Sequence, residues 1–431
     1  MKHGLILIIA IVAIIATTSA RTIQHPGIPK EFVESGRVDP KNKIQLQFAI
    51  KQNTQGKERL EKELLARSDP ENAEMYGKWF SKVDIDDMLR NTISTNAVKN
   101  FVEKHFHNDA YELTTGGDFL QVFTTVEKVE LMVKSQYHHY THVNGKTTVI
   151  RLAGEYEMPN EIAEHVDFIG PSHRFPLVQS LKLGKTVSSP DETVTPDVLK
   201  KLYNVGDAKG AADTKNIQAC ASFLNQYYEP NDLSKFQSKY VPDCKVTKPS
   251  VHGPDKSSAG IEASLDIEYI MAMGEDVPTQ FWSTNGQQPH NPSNEPFLIW
   301  LQNLANLTDA EKPLSMSVSY GDNEPGVDFD YATRVNTEFQ KAGARGMSIM
   351  FSSGDGGVSG GQSQPCDKFV ATFPAGSPWV TAVGGTTGTS PEVAASLSSG
   401  GFSSYWARPD YQENHVQAYF KTAGSSLPDS S

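Results

Sequence analysis

Helical and strand-like segments alternate along the C-terminal half of this chain. After about Ile217, helical patterns such as "IEASLDIEYIMAM", "FLIWLQNLANL" and "DYATRVNTEFQKAGARG" alternate with the short apolar runs "QFWST", "LSMSVSY", "MSIMF" and "WVTAV". Strands that are apolar along their whole length are buried on both faces, and alternating β and α units connect parallel strands. The sequence therefore predicts an α/β domain in which helices cover both faces of a parallel sheet.

The preceding part of the chain, from about Ile44 to Phe168, has a different pattern. Strand-like segments ("IQLQFAI", "FLQVFTTVEKVELMV", "TTVIRLAG") are mixed with amphipathic helical ones ("GKERLEKELLARS", "TNAVKNFVEKHF"), which is typical of a compact α+β domain. The polar stretch that follows, "LKLGKTVSSPDETVTPDVLKKLYNV", contains the turn and breaker residues of a linker. Because proteases cut exposed segments of this composition, we predict a cleaved linker at residues 183–193.

The first twenty residues have the three-part layout of a secretory signal. Lys2 precedes an almost wholly aliphatic run, Leu5 to Ala16, and the small residues Thr18 and Ala20 follow it. This run is too short to span a membrane, and no later segment is both long and apolar enough to do so. We therefore expect a signal peptide over residues 1–20 and a soluble mature protein in the secretory pathway or in a compartment that it supplies.

The charge of the chain restricts its partners. A formal net charge of -12 argues against nucleic acid or an anionic membrane as a partner. It suits an acidic compartment, where protonation removes part of this charge.

The chain has an odd number of cysteines for a secreted protein: Cys220, Cys244 and Cys366. Cys220 with Cys244 is the simplest pairing, although the sequence does not determine connectivity. Cys366 is then a free thiol, or its partner is not in this chain. The tripeptide Asn306-Leu307-Thr308 matches the N-glycosylation sequon, as expected for a secreted protein.

Asp355 stands directly after an apolar strand, in the glycine-rich stretch "FSSGDGG". Binding sites in open parallel sheets lie beyond the carboxyl ends of the strands, which is where this aspartate is expected. Glycine also lets the backbone adopt dihedrals that are closed to other residues and lets a substrate approach it closely. The alternative is a tight turn in which the aspartate bonds its own backbone.

A second acidic feature is the pair Glu262 and Asp266 in "GIEASLDIEYIMAMG". At a spacing of four they share one face of a helix, and a buried pair of this kind tends to hold one proton between them. Such a pair suits a general base with an orienting partner in acid conditions. The alternative is a solvated helix face with two incidental acids. A predicted apolar stripe of Leu265, Tyr269 and Ile270 would place the acids at the border of the buried face.

Several long motifs, in this order, resemble those of the sedolisins, the serine-carboxyl peptidases with a subtilisin-like fold. They are "GIEASLDIEYIMAMG", "SVSYGD", "FSSGDGG", "FPAGSPWVTAVGGT" and "SSGGFSSYW". The N-terminal part is similar to the activation propeptide of that family, most clearly in "SDPENAEMYGKWFS". The segments "YHHY" and "HVDFIGPSHRFP" resemble most closely the lysosomal, tripeptide-releasing members.

The resemblance implies a domain organisation. An activation propeptide would occupy residues 21–182 and act as an intramolecular inhibitor, followed by the cleaved linker at 183–193. Residues 194–431 would form the N-terminal part of a subtilisin-like catalytic domain, incomplete within this chain.

The resemblance also implies a role for each of the three acids. Glu262 would be the general base toward a serine nucleophile, and Asp266 would orient it and share its proton. Asp355 would be a protonated donor to the oxyanion, where subtilisin uses a neutral amide; loss of one such donor typically costs on the order of a hundredfold in rate.

Other parts of the family site are expected beyond Ser431. They are the serine nucleophile, which the family has in a Ser-Gly-Thr-Ser-Ala-Ser stretch, and a calcium site built from C-terminal loops. Ser390 in "TTGTSPEVA" is not a match, because Pro391 replaces the expected small residue and the second serine is missing.

The implied function is that of an acid serine-carboxyl peptidase precursor that releases tripeptides from the free N-termini of peptides or unfolded proteins. Its expected location is the lysosome, with secretion as the alternative, and the chain as it stands is expected to be inactive without the nucleophile. Two other functions stay open: a sedolisin-type endopeptidase, and a non-catalytic short product that binds peptides or inhibits full-length relatives.

The propeptide histidines His138, His139, His142, His165 and His173 have two interpretations. They are ordinary surface or packing residues, or they become charged as the pH falls through roughly 6.5 and loosen the propeptide. Their spacing does not repeat a metal-ligand pattern, so a metal cluster is not indicated.

Overall fold

The computed structural model describes residues 21–25, 27–145, 148–173, 175, 193–211, 215–223, 226–253, 259–284, 296–361 and 369–424. The predicted signal peptide, residues 183–192 of the predicted linker, and Cys366 lie outside the described residues.

The N-terminal part is an α+β unit, as predicted. Its strands are β1 (Arg21–Ile23), β2 (Phe32–Arg37), β3 (Lys43–Ile50), β4 (Ala110–Leu113), β5 (Phe119–Thr125), β6 (Tyr137–His142), β7 (Thr148–Leu152), β8 (Tyr156–Met158) and β9 (Val166–Gly170). Its helices are α1 (Thr54–Ser68), α2 (Lys82–Leu89), α3 (Thr92–His105) and α4 (Val126–Val133).

Two antiparallel sheets organise this unit. The larger has the order β4-β5-β3-β9 and the smaller the order β2-β6-β7, while β1 pairs with β8. Helix α3 begins after Asn91, whose side chain accepts a hydrogen bond from the Ser94 amide and so caps the helix. Its apolar face packs with the inner face of β3 in one buried core.

The segment "FLQVFTTVEKVELMV" is not a continuous strand, contrary to the prediction. Strand β5 ends at Thr125, and helix α4 follows without an intervening loop. The buried residues Val126, Val129 and Val133 are three and four apart, which is the period of a helix that packs one face into a core. The valine-rich composition indicated a strand, but the spacing of the buried positions is helical.

The C-terminal part is the predicted α/β domain. Its strands are β10 (Gln218–Phe223), β11 (Ser250–His252), β12 (Thr279–Thr284), β13 (Ser315–Val318), β14 (Asp322–Asn323), β15 (Ser348–Ser352), β16 (Thr372–Phe373), β17 (Thr381–Val383), β18 (Thr386–Thr387) and β19 (Val393–Ala394). Its helices are α5 (Pro196–Leu202), α6 (Pro230–Tyr240), α7 (Ile261–Met273), α8 (Pro296–Asn306), α9 (Phe329–Ala344) and α10 (Asp410–Ala423).

A six-stranded sheet with the order β11-β12-β10-β13-β15-β17 forms the centre of this domain, and all its pairings are parallel. Cys220 and Phe281 point to one face, where they pack against α6 and α7. Ala221 and Trp282 point to the other face, where they pack against α8 and α9. Helices therefore cover both faces, and the carboxyl ends of the strands lie along one edge.

The N-terminal unit packs onto helices α8 and α9, on the side of the sheet away from α7. Phe119 and Phe168 of the antiparallel sheet join the core of the C-terminal domain, and the ring of Phe168 lies 5.6 Å from that of Tyr331. Trp79 lies directly against Gly346, which has a φ of +83°; a Cβ atom there would approach the indole ring to 2.4 Å. Only glycine therefore fits beneath this tryptophan.

A buried ionic network crosses the same interface. Asp118 of the N-terminal unit lies 2.9 Å from Nζ of Lys341 and 3.1 Å from the Arg334 guanidinium, both on α9. Glu338, on the same helix, lies 3.2 Å from Arg334 and 2.7 Å from Lys341. These two cations hold the pKa of Asp118 far below its usual range, even though burial acts in the opposite direction.

The Cys220–Cys244 pairing is wrong, because both residues are free and buried. Cys220 lies in the core between β10 and α7, whereas Cys244 packs with Val241 and Ala272 at the far end of the helices. Among the described residues, no helix is long and apolar enough to cross a membrane.

Candidate active site

Helix α7 positions the two neighbouring carboxyl groups. Glu262 is in its first turn and Asp266 one turn later, and both are partly buried. The predicted apolar stripe is wrong in one respect: Leu265 is 51% exposed. The helix instead packs through Ala263, Ile267, Met271 and Ala272. The acids lie beside this buried face, so they are neither in the core nor on a freely solvated surface.

Asp355 lies three residues beyond the end of β15, at the carboxyl edge of the sheet, and its side chain is exposed. The chain reaches it through Gly354, which has a φ of +109°, and a Cβ atom there would lie 3.0 Å from the Gly360 carbonyl oxygen. Glycine is therefore required for both its dihedral angle and its small size.

The structure brings the three predicted acids together. The negative charges of Asp266 and Asp355 both act on Glu262, so residues from two separated segments share one electrostatic environment. Burial, together with these two charges, raises the pKa of Glu262 to about 8. Glu262 therefore holds a proton in acid and through neutral pH.

The other two acids are also shifted toward the protonated form. Burial raises the pKa of Asp266 to about 6, although a hydrogen bond of 3.1 Å from the Ser319 hydroxyl acts against this rise. Partial removal of water raises the pKa of Asp355. A carboxyl group that stays protonated can donate a hydrogen bond, and a pair that shares a proton can accept one from a nearby hydroxyl. The site thus combines a proton acceptor with a neutral donor.

Ser319 was not identified as a site residue from the sequence. It directly follows β13, at the same edge of the sheet, and it lies within the motif "SVSYGD". Its position beyond a parallel strand was the signal that could have identified it.

No metal site is apparent in the part of the chain that the structure describes: no group of three or more His, Cys, Asp or Glu side chains there could hold a metal ion. The calcium site therefore stays a prediction, and no step of the chemistry below depends on it.

The propeptide histidines differ in their surroundings. His173 is buried against His25, with ring centroids 4.4 Å apart, and one of its ring nitrogens lies 2.7 Å from the Gly154 carbonyl oxygen. Burial lowers the pKa of His173 to about 4, so it becomes charged well below 6.5. His165 makes an ordinary hydrogen bond to Ser94, and His138 lies 2.6 Å from Glu34.

Comparison with known proteins identifies relatives of the whole chain. Residues 30–175 match the family Pro-kumamolisin, activation domain. Tripeptidyl-peptidase 1 of Bos taurus is 36% identical, over 94% of this chain and 76% of that protein. The enzyme of the same name from Homo sapiens is 34% identical over the same shares, and that from Mus musculus is 37% identical over 94% of this chain and 73% of its own length.

One solved structure with a similar chain is Pseudomonas sedolisin (serine-carboxyl proteinase) complexed with two molecules of pseudo-iodotyrostatin. It is 20% identical, covers 51% of this chain and 65% of its own, and has a TM-score of 0.40.

Proposed function

Because this chain belongs to the sedolisin family of serine-type peptidases, we propose that it is the precursor of an acid tripeptidyl-peptidase. The enzyme would remove tripeptides from the free N-termini of peptides or unfolded proteins. The observation that most directly supports this proposal is the grouping of Glu262, Asp266 and Asp355, each with a raised pKa. An oxyanion donor such as Asp355, which works only when protonated, suits catalysis in an acidic compartment.

Each acid has a distinct task in the proposed reaction. With one proton on the pair, Glu262 passes that proton to Asp266 and accepts the proton of a serine hydroxyl as that oxygen attacks the peptide carbonyl, and then returns a proton to the leaving amine. Asp266 shares the proton of Glu262 and fixes its orientation. Asp355 donates a hydrogen bond to the oxyanion that develops on the carbonyl oxygen. The serine itself is outside the motifs identified in this chain.

The N-terminal unit is an activation domain, and we propose that it inhibits the catalytic domain until it is removed. Its docking on α8 and α9 through the buried Asp118 network supports tight association before activation.

The location, the cofactor and the glycosylation of the protein are further parts of the proposal. A lysosomal or secreted location suits an acidic chain with acid-tuned carboxyl groups, and calcium is proposed as a cofactor on the family resemblance. Asn306 is exposed at the end of α8, so it is accessible for N-glycosylation.

The alternative is an endopeptidase that uses the same three acids. The two activities differ in whether the free amine of the substrate is needed, and the similarity to several tripeptidyl-peptidases 1 favours the exopeptidase.

The test uses protein expressed from the complete coding sequence and activated in acid. It is assayed on a fluorogenic tripeptide amide and on the same compound with an acetylated amine. We expect hydrolysis of the free form alone, and its loss in the Glu262→Gln variant. Equal cleavage of both compounds would indicate an endopeptidase. Absence of hydrolysis by the folded protein would favour the non-catalytic alternative.

A further inference from the structure

The side chain of Ser399 packs against the loop of residues 354–361, which presents Asp355. Ser399 is almost fully buried, at 7% exposure. Its backbone amide donates to the Gly354 carbonyl at 3.0 Å, and its hydroxyl donates to the Gly360 carbonyl at 2.5 Å. The same hydroxyl accepts from the Gly356 amide at 3.2 Å. One serine, distant in sequence, therefore binds the residues on both sides of Asp355 and the return arm of the loop.

This loop has few restraints of its own. Gly354, Gly357 and Gly360 have φ values of +109°, +60° and +90°, and glycine has more conformational freedom than any other residue. Within the loop, the Asp355 amide donates to the Gly361 carbonyl at 3.2 Å and the Gly356 amide to the Gly360 carbonyl at 3.0 Å. These bonds close the loop on itself but do not fix it to the sheet.

Other segments hold the loop in place: the Leu397 carbonyl accepts from the Gly357 amide at 2.9 Å, and two side chains also bond to the loop. Ser399 is one, and Asn323 is the other: its amide oxygen accepts from the Gly361 amide at 2.7 Å. A Cβ atom on Gly360 would lie 2.2 Å from that oxygen, so the contact is close. Ser399 bonds to both the arm that bears Asp355 and the returning arm, whereas Asn323 bonds to the returning arm.

We propose that Ser399 is a positioning residue for Asp355: it fixes the glycine loop so that the carboxyl group points at the developing oxyanion. The inference rests on the proposed function of Asp355 as oxyanion donor. An oxyanion donor must lie within about 2.7–3.1 Å of the charged oxygen, and a misplacement of about 1 Å can cost on the order of a hundredfold in rate. A loop made largely of glycine cannot meet that demand without an external restraint.

The test compares Ser399→Ala with Ser398→Ala in enzyme expressed from the complete coding sequence. Ser398 is a matched control, because it is the adjacent serine and its hydroxyl contacts the Gly385 amide at 3.0 Å and the Ser353 hydroxyl at 3.4 Å, but none of the described residues 354–361. We expect Ser399→Ala to lower kcat about tenfold with little change in KM, since the geometry of the donor changes and substrate binding does not. Ser399→Thr, which keeps the hydroxyl, should recover most of the activity, and Ser398→Ala should match the wild type.

A double-mutant cycle separates positioning from general stabilisation. If Ser399 acts through Asp355, Ser399→Ala should have little further effect on kcat in an Asp355→Ala background. An additive, tenfold loss in that background would overturn the inference, as would a wild-type kcat for Ser399→Ala. Should Ser399→Ala fail to fold, Asn323→Ala gives the same cycle on the returning arm. If Asp355→Ala itself has full activity, the proposed role of Asp355 fails, and that outcome is distinct from additivity.

Discussion

The hydroxyl of Ser319 donates a hydrogen bond of 3.1 Å to Asp266, which makes the two carboxyl groups on α7 inequivalent. The bond favours the ionised form of Asp266, whose pKa is about 6, while the pKa of Glu262 is about 8. When the pair holds a single proton, that proton therefore resides mainly on Glu262. The hydroxyl of a nucleophilic serine near Glu262 would meet a pair whose proton can move to Asp266.

Replacing Ser319 by alanine should raise the pKa of Asp266, because the ionised form loses its donor. A hydrogen bond to a charged group contributes about 1.5–3 kcal/mol, so we expect a shift of the pH–rate profile toward higher pH by about one unit and a several-fold loss of kcat. The pH dependence of kcat/KM measures this shift. Ser264→Ala, on the same helix, is the control, and an unshifted profile for Ser319→Ala would contradict the assignment.

Asp355→Asn should separate the donor function from its pH dependence. The amide stays neutral at every pH, whereas the pKa of Asp355, although raised, lets the carboxyl ionise as the pH rises. We expect lower activity than the wild type in acid, and a ratio of variant to wild-type activity that increases toward neutral pH. The comparison needs pH profiles of both proteins. Parallel profiles would mean that ionisation of Asp355 does not limit the reaction.

Glu262→Gln should reduce the loss of folding stability that occurs as the pH rises to neutral. The pKa of Glu262 is raised from 4.5 to about 8, so its contribution to stability is complete below about pH 4.5 and is lost as the pH rises toward 8. A neutral glutamine does not titrate. Between about pH 4.5 and 8, we therefore expect the unfolding free energy of the variant to fall by about 1–3 kcal/mol less than that of the wild type. Urea unfolding at both ends of the window measures this, with Glu61→Gln on the surface of α1 as control. Equal losses in variant and wild type would refute the raised pKa.

Asp118→Asn should weaken the attachment of the activation domain. It leaves the buried Lys341 and Arg334 with one carboxylate fewer, and breaking a buried pair typically costs about 3–5 kcal/mol. We expect a lower melting temperature of the precursor and release of the domain at higher pH than in the wild type. Asp87→Asn, on the exposed side of α2, is the control. Unchanged processing would show that the network does not hold the domain in place.

His173→Gln should shift activation to lower pH. The pKa of His173 falls from 6.5 to about 4 on folding, so its contribution to stability is present above 6.5 and is lost as the pH falls toward 4. His25, Arg151 and Tyr156 face this ring. A positive charge on His173 would therefore lie beside other basic side chains and an aromatic ring. Processing followed over a range of pH tests this, with His107→Gln as the exposed control. An unchanged activation pH would show that protonation of His173 does not contribute to activation.

The parallel sheet and the position of the three acids were predictable, because each depends on local sequence. Helix α7 follows from its composition, and Asp355 follows an apolar strand whose carboxyl end must lie at the sheet edge. The exposure of Leu265 and the separation of Cys220 from Cys244 were not predictable, since both depend on which helix packs against which strand. The contacts of Ser399 with the Asp355 loop join residues 39 and 43 positions apart, and no local pattern marks such pairs.

Helix α9 brings its own counter-ions to the interface. Glu338 pairs with Arg334 and Lys341 within the same helix, so removal of the N-terminal unit takes away Asp118 and Asp167 but does not leave the two cations unaccompanied. Water can hydrate a helix that is already close to neutral without rearrangement of its backbone. Helix α9 would thus keep its charge balance after the two domains separate.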